Sequence, residues 1–236
     1  MKDKIEEYNS RFSGLSIGEV IDSLTQEFPA QVKFSSAFGQ EDQVIADIIF
    51  RKQLAVEVFT LDTGRLFPET YDLMEKTRVR YKQEITTYFP KSEDVESLVS
   101  EKGFFSFYES IENRKECCYI RKVAPLKRAL RNTKVWITGL RAAQSDNRQN
   151  LELFEWDEGN QVIKYNPILN WSYEAILTYL DEYKVPYNTL HNKGFVSIGC
   201  QPCTRAISPE EPARAGRWWW ENSQKECGLH AVTIKK

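Results

Sequence analysis

Residues 35–42 read S-S-A-F-G-Q-E-D. A short strand candidate, 31–36, runs into them, and 41–50 leads out as a helix candidate with Val44, Ile45, Ile48 and Ile49 on one stripe. The order is strand, glycine-bearing turn, helix. In such a turn, backbone N–H groups and the start of the helix can hold an anion. With one glycine, the stretch fits neither the Walker A loop nor the dinucleotide fingerprint, and alone it is an ordinary connection.

Repetition gives the turn its meaning. The strand-like run A-V-E-V-F-T-L (55–61) ends at Leu61 and is followed by Asp62, Thr63 and Gly64, after which Pro68 opens a helix. The run K-V-W-I-T (134–138) is followed by Gly139 and Arg141. Residues 84–89 form a further strand candidate, and 16–28 carries Ile17, Val20, Ile21 and Leu24 at helical spacing. Strands alternating with helices predict an α/β protein with a doubly wound, mostly parallel sheet that binds ligand at its strand carboxyl ends. Three polar, glycine-bearing turns after three strands predict one shared nucleotide pocket. Its candidate residues are Ser35, Ser36, Phe38, Gly39, Leu61, Asp62, Thr63, Gly64, Gly139 and Arg141.

The second half is less regular. Residues 153–156 and 162–165 flank D-E-G-N as a predicted hairpin, and 172–183 is a predicted helix with Ser172 as its N-cap. From about 208 the text changes to prolines, then A-R-A-G-R-W-W-W-E and a polar end. This divides the chain into a binding and cysteine-bearing body, 1–207, and a functional C-terminal segment, 208–236. With 32 basic and 34 acidic residues the net charge is −2, which argues against a general nucleic-acid binder. Residues 1–8, M-K-D-K-I-E-E-Y, lack the apolar core of a signal peptide, and no run approaches membrane-spanning length. A cytoplasmic setting away from membranes is therefore expected, and there thiols stay reduced. An assembly of identical chains is compatible with this composition.

Five cysteines remain to be explained: Cys117 and Cys118 in K-E-C-C-Y-I-R-K, Cys200 and Cys203 in C-Q-P-C, and Cys227 in K-E-C-G-L-H. C-x-x-C binds zinc or iron–sulfur. Successive side chains on a helix diverge by about 100°, which is awkward for one tetrahedral ion and easier for a cubane with separate iron corners. Arg114, Lys115, Arg121 and Lys122 would offset the thiolate charge. Zinc stays open at this point, while a vicinal disulfide is disfavoured by ring strain and a reducing compartment.

Together the C-C-Y-I-R-K, C-Q-P-C-T-R, R-A-G-R-W-W-W-E and K-E-C-G-L-H segments resemble the iron–sulfur adenylylsulfate reductases of bacterial sulfate assimilation. They belong to the wider 3′-phosphoadenylylsulfate (PAPS) reductase family, and the likeness spans about 200 residues from Ser35 onward. The resemblance implies an adenine nucleotide alpha-hydrolase fold related to the PP-loop ATP pyrophosphatases. It also implies one [4Fe–4S] cluster held by Cys117, Cys118, Cys200 and Cys203. The implied reaction takes adenosine 5′-phosphosulfate (APS) to sulfite and AMP, with Cys227 as the nucleophile. Lys122, Arg214, Arg217 and His230 match family positions around the phosphosulfate. Reduction needs two electrons, and one thiol is left beyond the cluster set. Attack by Cys227 would leave an S-sulfocysteine, to be cleaved by an outside dithiol of the thioredoxin type.

A PAPS reductase shares the loops and the tail cysteine but typically lacks the cysteine pairs, so the pairs favour APS, with dual use as the alternative. An iron–sulfur tRNA thiolation enzyme usually carries S-G-G-x-D-S, and S-S-A-F-G-Q-E-D lacks its paired glycines and final serine. A zinc-stabilised binding module leaves Cys227 unexplained.

Overall fold

A computed structural model describes residues 1–144, 148 and 150–221. Helices α1 (Ile5–Arg11) and α2 (Ile17–Glu27) open the chain. The Ser16 hydroxyl accepts from the Glu19 N–H, and the Glu19 carboxylate accepts from the Ser16 N–H. This capping box starts α2 where its buried stripe of Val20, Ile21 and Leu24 begins. The alternating segment follows as β1 (Val32–Ser35), α3 (Gln40–Arg51), β2 (Glu57–Leu61), α4 (Pro68–Tyr81) and β3 (Thr86–Tyr88).

The chain continues through α5 (Ser92–Lys102) and α6 (Ile111–Cys118), then a π-turn over Tyr119–Val123 that runs into α7 (Ala124–Ala129). Pro125 explains the π-turn. In a regular α-helix its ring would collide with the carbonyl of Arg121, and the wider turn relieves that clash. Next come β4 (Val135–Ile137), the pair β5 (Phe154–Asp157) and β6 (Val162–Tyr165), and α8 (Tyr173–Glu182), which is capped by the Ser172 hydroxyl.

Among the described residues, six strands form one sheet in the order β3-β2-β1-β4-β6-β5. All pairings are parallel except the β5–β6 hairpin. The strand order reverses beside β1, which lies between β2 and β4. Connections leaving β1 and β4 therefore diverge and open a crevice at the carboxyl edge. Side chains alternate across the sheet. Val58, Val135, Ile137 and Ile163 join the larger core, with residues of α2, α3 and α8. Phe59, Trp136 and Val162 join a smaller core under α7.

Residues 208–221 return to this body. Thr204 and Arg217 form an antiparallel bridge, and the Trp218 N–H donates to the Cys203 carbonyl at 3.2 Å. Arg114 and Glu221 make a two-pronged ion pair, both contacts at 2.9 Å, with side chains only 2% and 4% exposed. Removing one partner of a buried pair costs about 3–5 kcal/mol, because the other charge stays desolvated. Glu221→Ala should therefore lower unfolding free energy by that amount in denaturant titrations. Arg114→Met combined with Glu221→Leu should recover most of the loss.

Candidate active site

The turn after β1 is held by its own side chains. The Ser36 hydroxyl accepts from the Phe38 N–H at 3.1 Å, and Phe38 is buried with φ at 58°. Asp42, in the first turn of α3, accepts from the Ala37 N–H at 2.7 Å and the Gly39 N–H at 3.4 Å. Burial pushes the Asp42 carboxyl up to about 7, against the pull of those two donors. The turn after β4 presses on the same carboxylate. A Cβ at Gly139 would lie 2.1 Å from Asp42 Oδ1. Only glycine permits that approach, so two walls of the crevice meet at Asp42.

The other predicted crevice residues divide between scaffold and opening. The Ser35 hydroxyl accepts from the Trp136 indole N–H at 2.8 Å, and Leu61 packs on the smaller core. Asp62 accepts from the Gly64 N–H at 2.7 Å and from the Tyr71 hydroxyl at 3.0 Å. Gly64 has φ at 70°, a backbone angle that favours glycine. Arg141 donates to Glu41 at 3.0 Å and to the Trp171 carbonyl at 3.4 Å. The structure thus commits Arg141 to the start of α3.

Cysteines from two distant segments meet in one apolar cluster. Cys117, Cys200 and Cys203 are buried among Leu98, Phe107 and Trp218, and Cys118 packs against them, half-buried. Among the described residues no disulfide joins these four cysteines, and no set of three or more His, Cys, Asp or Glu is gathered for a metal ion. Burial pushes the Cys117 thiol up. Burial, then the neighbouring Cys200, push Cys203 up to about 12. Burial also acts upward on Cys200, but Lys122, the Thr63 hydroxyl, Arg217 and Arg121 together outweigh it and bring that thiol below its usual value.

The turn after β2 joins the two halves of the site. The Thr63 hydroxyl lies 3.3 Å from Cys200 Sγ, and Arg121 donates to the Thr63 carbonyl at 2.7 Å. The Gln201 N–H donates to the Arg65 carbonyl at 2.8 Å. Arg217 lies against the C-x-x-C approach, donating to the Ile198 carbonyl at 3.3 Å and stacking 4.7 Å from the Trp218 ring. A Cβ at Gly199 would lie 2.2 Å from its guanidinium. Buried Arg65 Nη1, Arg121 Nε and Arg217 Nε have no hydrogen-bond partner among the described residues. Unpaired cationic donors around grouped thiols fit an anionic, thiolate-bound group.

The structure thus brings together the four paired cysteines, Lys122, Arg217 and Thr63, and it keeps Arg141 on the α3 side. Arg214 is half-buried one turn before Arg217, and its carbonyl accepts from the Arg217 N–H at 3.0 Å. Lys115 is exposed, and Arg114 serves the ion pair with Glu221. Cys227 and His230 lie outside the described residues. Sequence reading missed Arg65, which follows Gly64 directly, and the anchoring role of Asp42, which ends the quoted 35–42 stretch.

The mostly parallel sheet with its crevice at the β1–β4 reversal, taken with the family and structural matches that follow, is that of an adenine nucleotide alpha-hydrolase-like protein. Within that class, a model of the phosphoadenosine phosphosulfate reductase domain matches residues 31–206. The chain belongs to this family. It is 47% identical over 205 residues to the adenosine 5′-phosphosulfate reductase of Burkholderia cepacia, covering 86% of this chain and 82% of the relative. It is 50% identical over 200 residues to that of Sinorhizobium fredii strain USDA 257, covering 84% and 80%. The crystal structure of phosphoadenylyl-sulfate reductase from Candida auris, a phosphate complex, superposes with a TM-score of 0.74 at 31% identity, covering 88% of this chain and 98% of that one. Candida glabrata FMN adenylyltransferase shares the fold alone, with a TM-score of 0.55 at 17% identity, covering 97% and 78%.

Asp42 gives this site a pH signature. Its carboxyl binds a proton more tightly in the folded chain, with a pKa of about 7, than in the unfolded chain, whose value is 3.8. Its contribution to stability is therefore greatest below the unfolded value and falls as pH rises toward 7, by at most about 1.4 kcal/mol per pH unit. Asp42→Asn should gain stability relative to the parent between pH 5 and about 7 and hold a constant difference above that. Thermal unfolding measured across this range gives the comparison.

Proposed function

We propose that this chain is an adenylyl-sulfate reductase that uses thioredoxin to convert APS to sulfite and AMP. The observation that carries the reading is the Thr63 turn. One strand end lines the nucleotide crevice and also touches Cys200 at 3.3 Å. The names of the curated relatives, adenosine 5′-phosphosulfate reductases, support APS over PAPS as substrate.

Cys117, Cys118, Cys200 and Cys203 would hold a [4Fe–4S] cluster, for which the four grouped thiols and unpaired guanidinium donors are suited. When bound, such a cluster supplies a tie between the two cysteine segments and a fixed anionic centre beside the crevice. The turns after β1 and β4 hold the adenine nucleotide, and Lys122, Arg214, Arg217 and His230 take the phosphosulfate oxygens. Arginine forks suit tetrahedral oxyanions, and their charge also favours a thiolate nucleophile.

The Cys227 thiolate attacks the sulfur of bound APS, the S–O bond to the phosphate breaks, and AMP leaves with that electron pair. Cys227 is then an S-sulfocysteine. One thiolate of the donor attacks its Sγ, sulfite departs, and the donor's second thiol resolves the mixed disulfide. The donor dithiol is oxidised, APS sulfur is reduced by two electrons, and Cys227 returns as a thiol. We assign nucleotide and cluster to residues 1–207 and sulfur transfer to 208–236, in a cytoplasm whose reducing poise keeps these cysteines out of disulfides.

Intact-mass analysis tests the reading. Enzyme mixed with APS but no dithiol should gain one SO₃ per chain at Cys227 and release sulfite only when thioredoxin is added. PAPS should give less sulfite than APS. Cys227→Ser should bind nucleotide, form no adduct and lose at least about 10³-fold in rate. Arg217→Ala should lower kcat/KM roughly ten- to a hundredfold, the worth of a charge-assisted contact. Parental sulfite release by Cys227→Ser would refute the mechanism.

A further inference from the structure

Arg65 is the fourth residue of D-T-G-R, and the reaction as derived gives it no task. Its side chain is half-buried and tied in three ways. Nη2 donates to the Phe104 carbonyl at 2.7 Å, and the guanidinium lies 4.9 Å from the Phe107 ring, itself part of the cysteine cluster. Its backbone carbonyl accepts from Gln201, inside the C-x-x-C segment. One donor is left over, since Nη1 is fully buried with no hydrogen-bond partner among the described residues. The same guanidinium lies within electrostatic range of Cys117, Cys200 and Cys203.

A buried cationic N–H without an acceptor is costly, because the charge is desolvated with nothing in return. Arg121 stands nearby with the same sign and adds repulsion. Nothing in the scaffold requires a guanidinium here, because the Phe104 carbonyl uses one N–H and Phe107 would pack as well on an apolar stem. The arrangement becomes favourable once an anion faces Nη1.

We propose that Arg65 is a fixed counter-charge of the four-cysteine site, with Nη1 donating to the anionic iron–sulfur group that those thiols hold. The assignment rests on the cluster reading above and extends it to a residue on the nucleotide-binding turn. Arg65 therefore links β2, the Phe104–Phe107 loop and both cysteine segments through one permanent charge. Its assigned partner is the cluster, which makes it a positioning charge and not a catalytic residue.

The test uses anaerobically purified holoprotein of the parent, Arg65→Gln and Arg65→Lys. The readouts are iron release to an excess of chelator and the iron–sulfur stretching bands in resonance Raman spectra. Arg65→Gln should release iron roughly tenfold faster or more, as expected for loss of a hydrogen bond to a charged group, and its stretching bands should shift. Arg65→Lys should stay near the parent in both. Parental rates and bands in Arg65→Gln would overturn the proposal. Equal acceleration in both variants would also overturn it, because the guanidinium would then be a structural strut. If Arg65→Gln fails to load iron while Arg65→Lys loads, the charge is required. If neither loads, the counter-charge role is lost. An iron-free parent would instead refute the cluster assignment itself.

Discussion

Burying several thiols together sets the terms for the rest of this molecule. Desolvation and mutual repulsion both oppose their ionisation, and the Cys203 thiol, pushed up to about 12, registers that opposition. Cys200 goes the other way because fixed positive charge and a hydroxyl converge on it. The fold therefore has to deliver cations to an apolar place and hold them there. Arg121 is positioned by the π-turn and by the Thr63 carbonyl, and Arg217 by the bridge to Thr204 and by its stacking on Trp218. Glycines at 64 and 199 leave room for those guanidinium groups.

The same charges bind the two functional halves together. The β2 turn is the hinge of the arrangement in space. Its Asp62 and Gly64 shape the crevice edge, its Thr63 touches Cys200, and the Arg65 carbonyl receives the C-x-x-C backbone. A nucleotide lying across the β1 and β4 turns would meet a wall whose electrostatics are set by the thiol site. Such a wall gives the crevice-bearing sheet and the grouped cysteines a reason to share one fold. It also explains why the RAGRWWWE segment folds against Cys203, where Trp218 closes the apolar cluster and Glu221 neutralises Arg114.

Much of this was legible in the sequence. Periodicity located α2, α3, α8 and the parallel strands, because each has one buried stripe or a short apolar run bounded by turn residues. Spacing gave the cysteine pairs, since C-C and C-x-x-C are local patterns. The Arg114–Glu221 pair, the Gly139–Asp42 approach and the Thr63–Cys200 contact were not legible. Each joins residues far apart in the chain, and no local pattern records which distant side chain a charge or a glycine faces. Helices α5 to α7 also escaped. Their polar faces and Pro125 weaken the periodic signal, and packing against the sheet and cysteine cluster holds them in place.

Cysteines from two segments, set inside a cationic wall, would act together as one anionic binding site. Iron and acid-labile sulfide analysis of anaerobically purified protein, alongside Cys117→Ser and Cys200→Ser, decides the matter. The parent should hold four irons and four sulfides per chain, with broad visible absorbance near 400 nm that is lost or diminished when a cysteine from either segment is replaced. Stoichiometric zinc without sulfide, or an undiminished cluster in both variants, would contradict it.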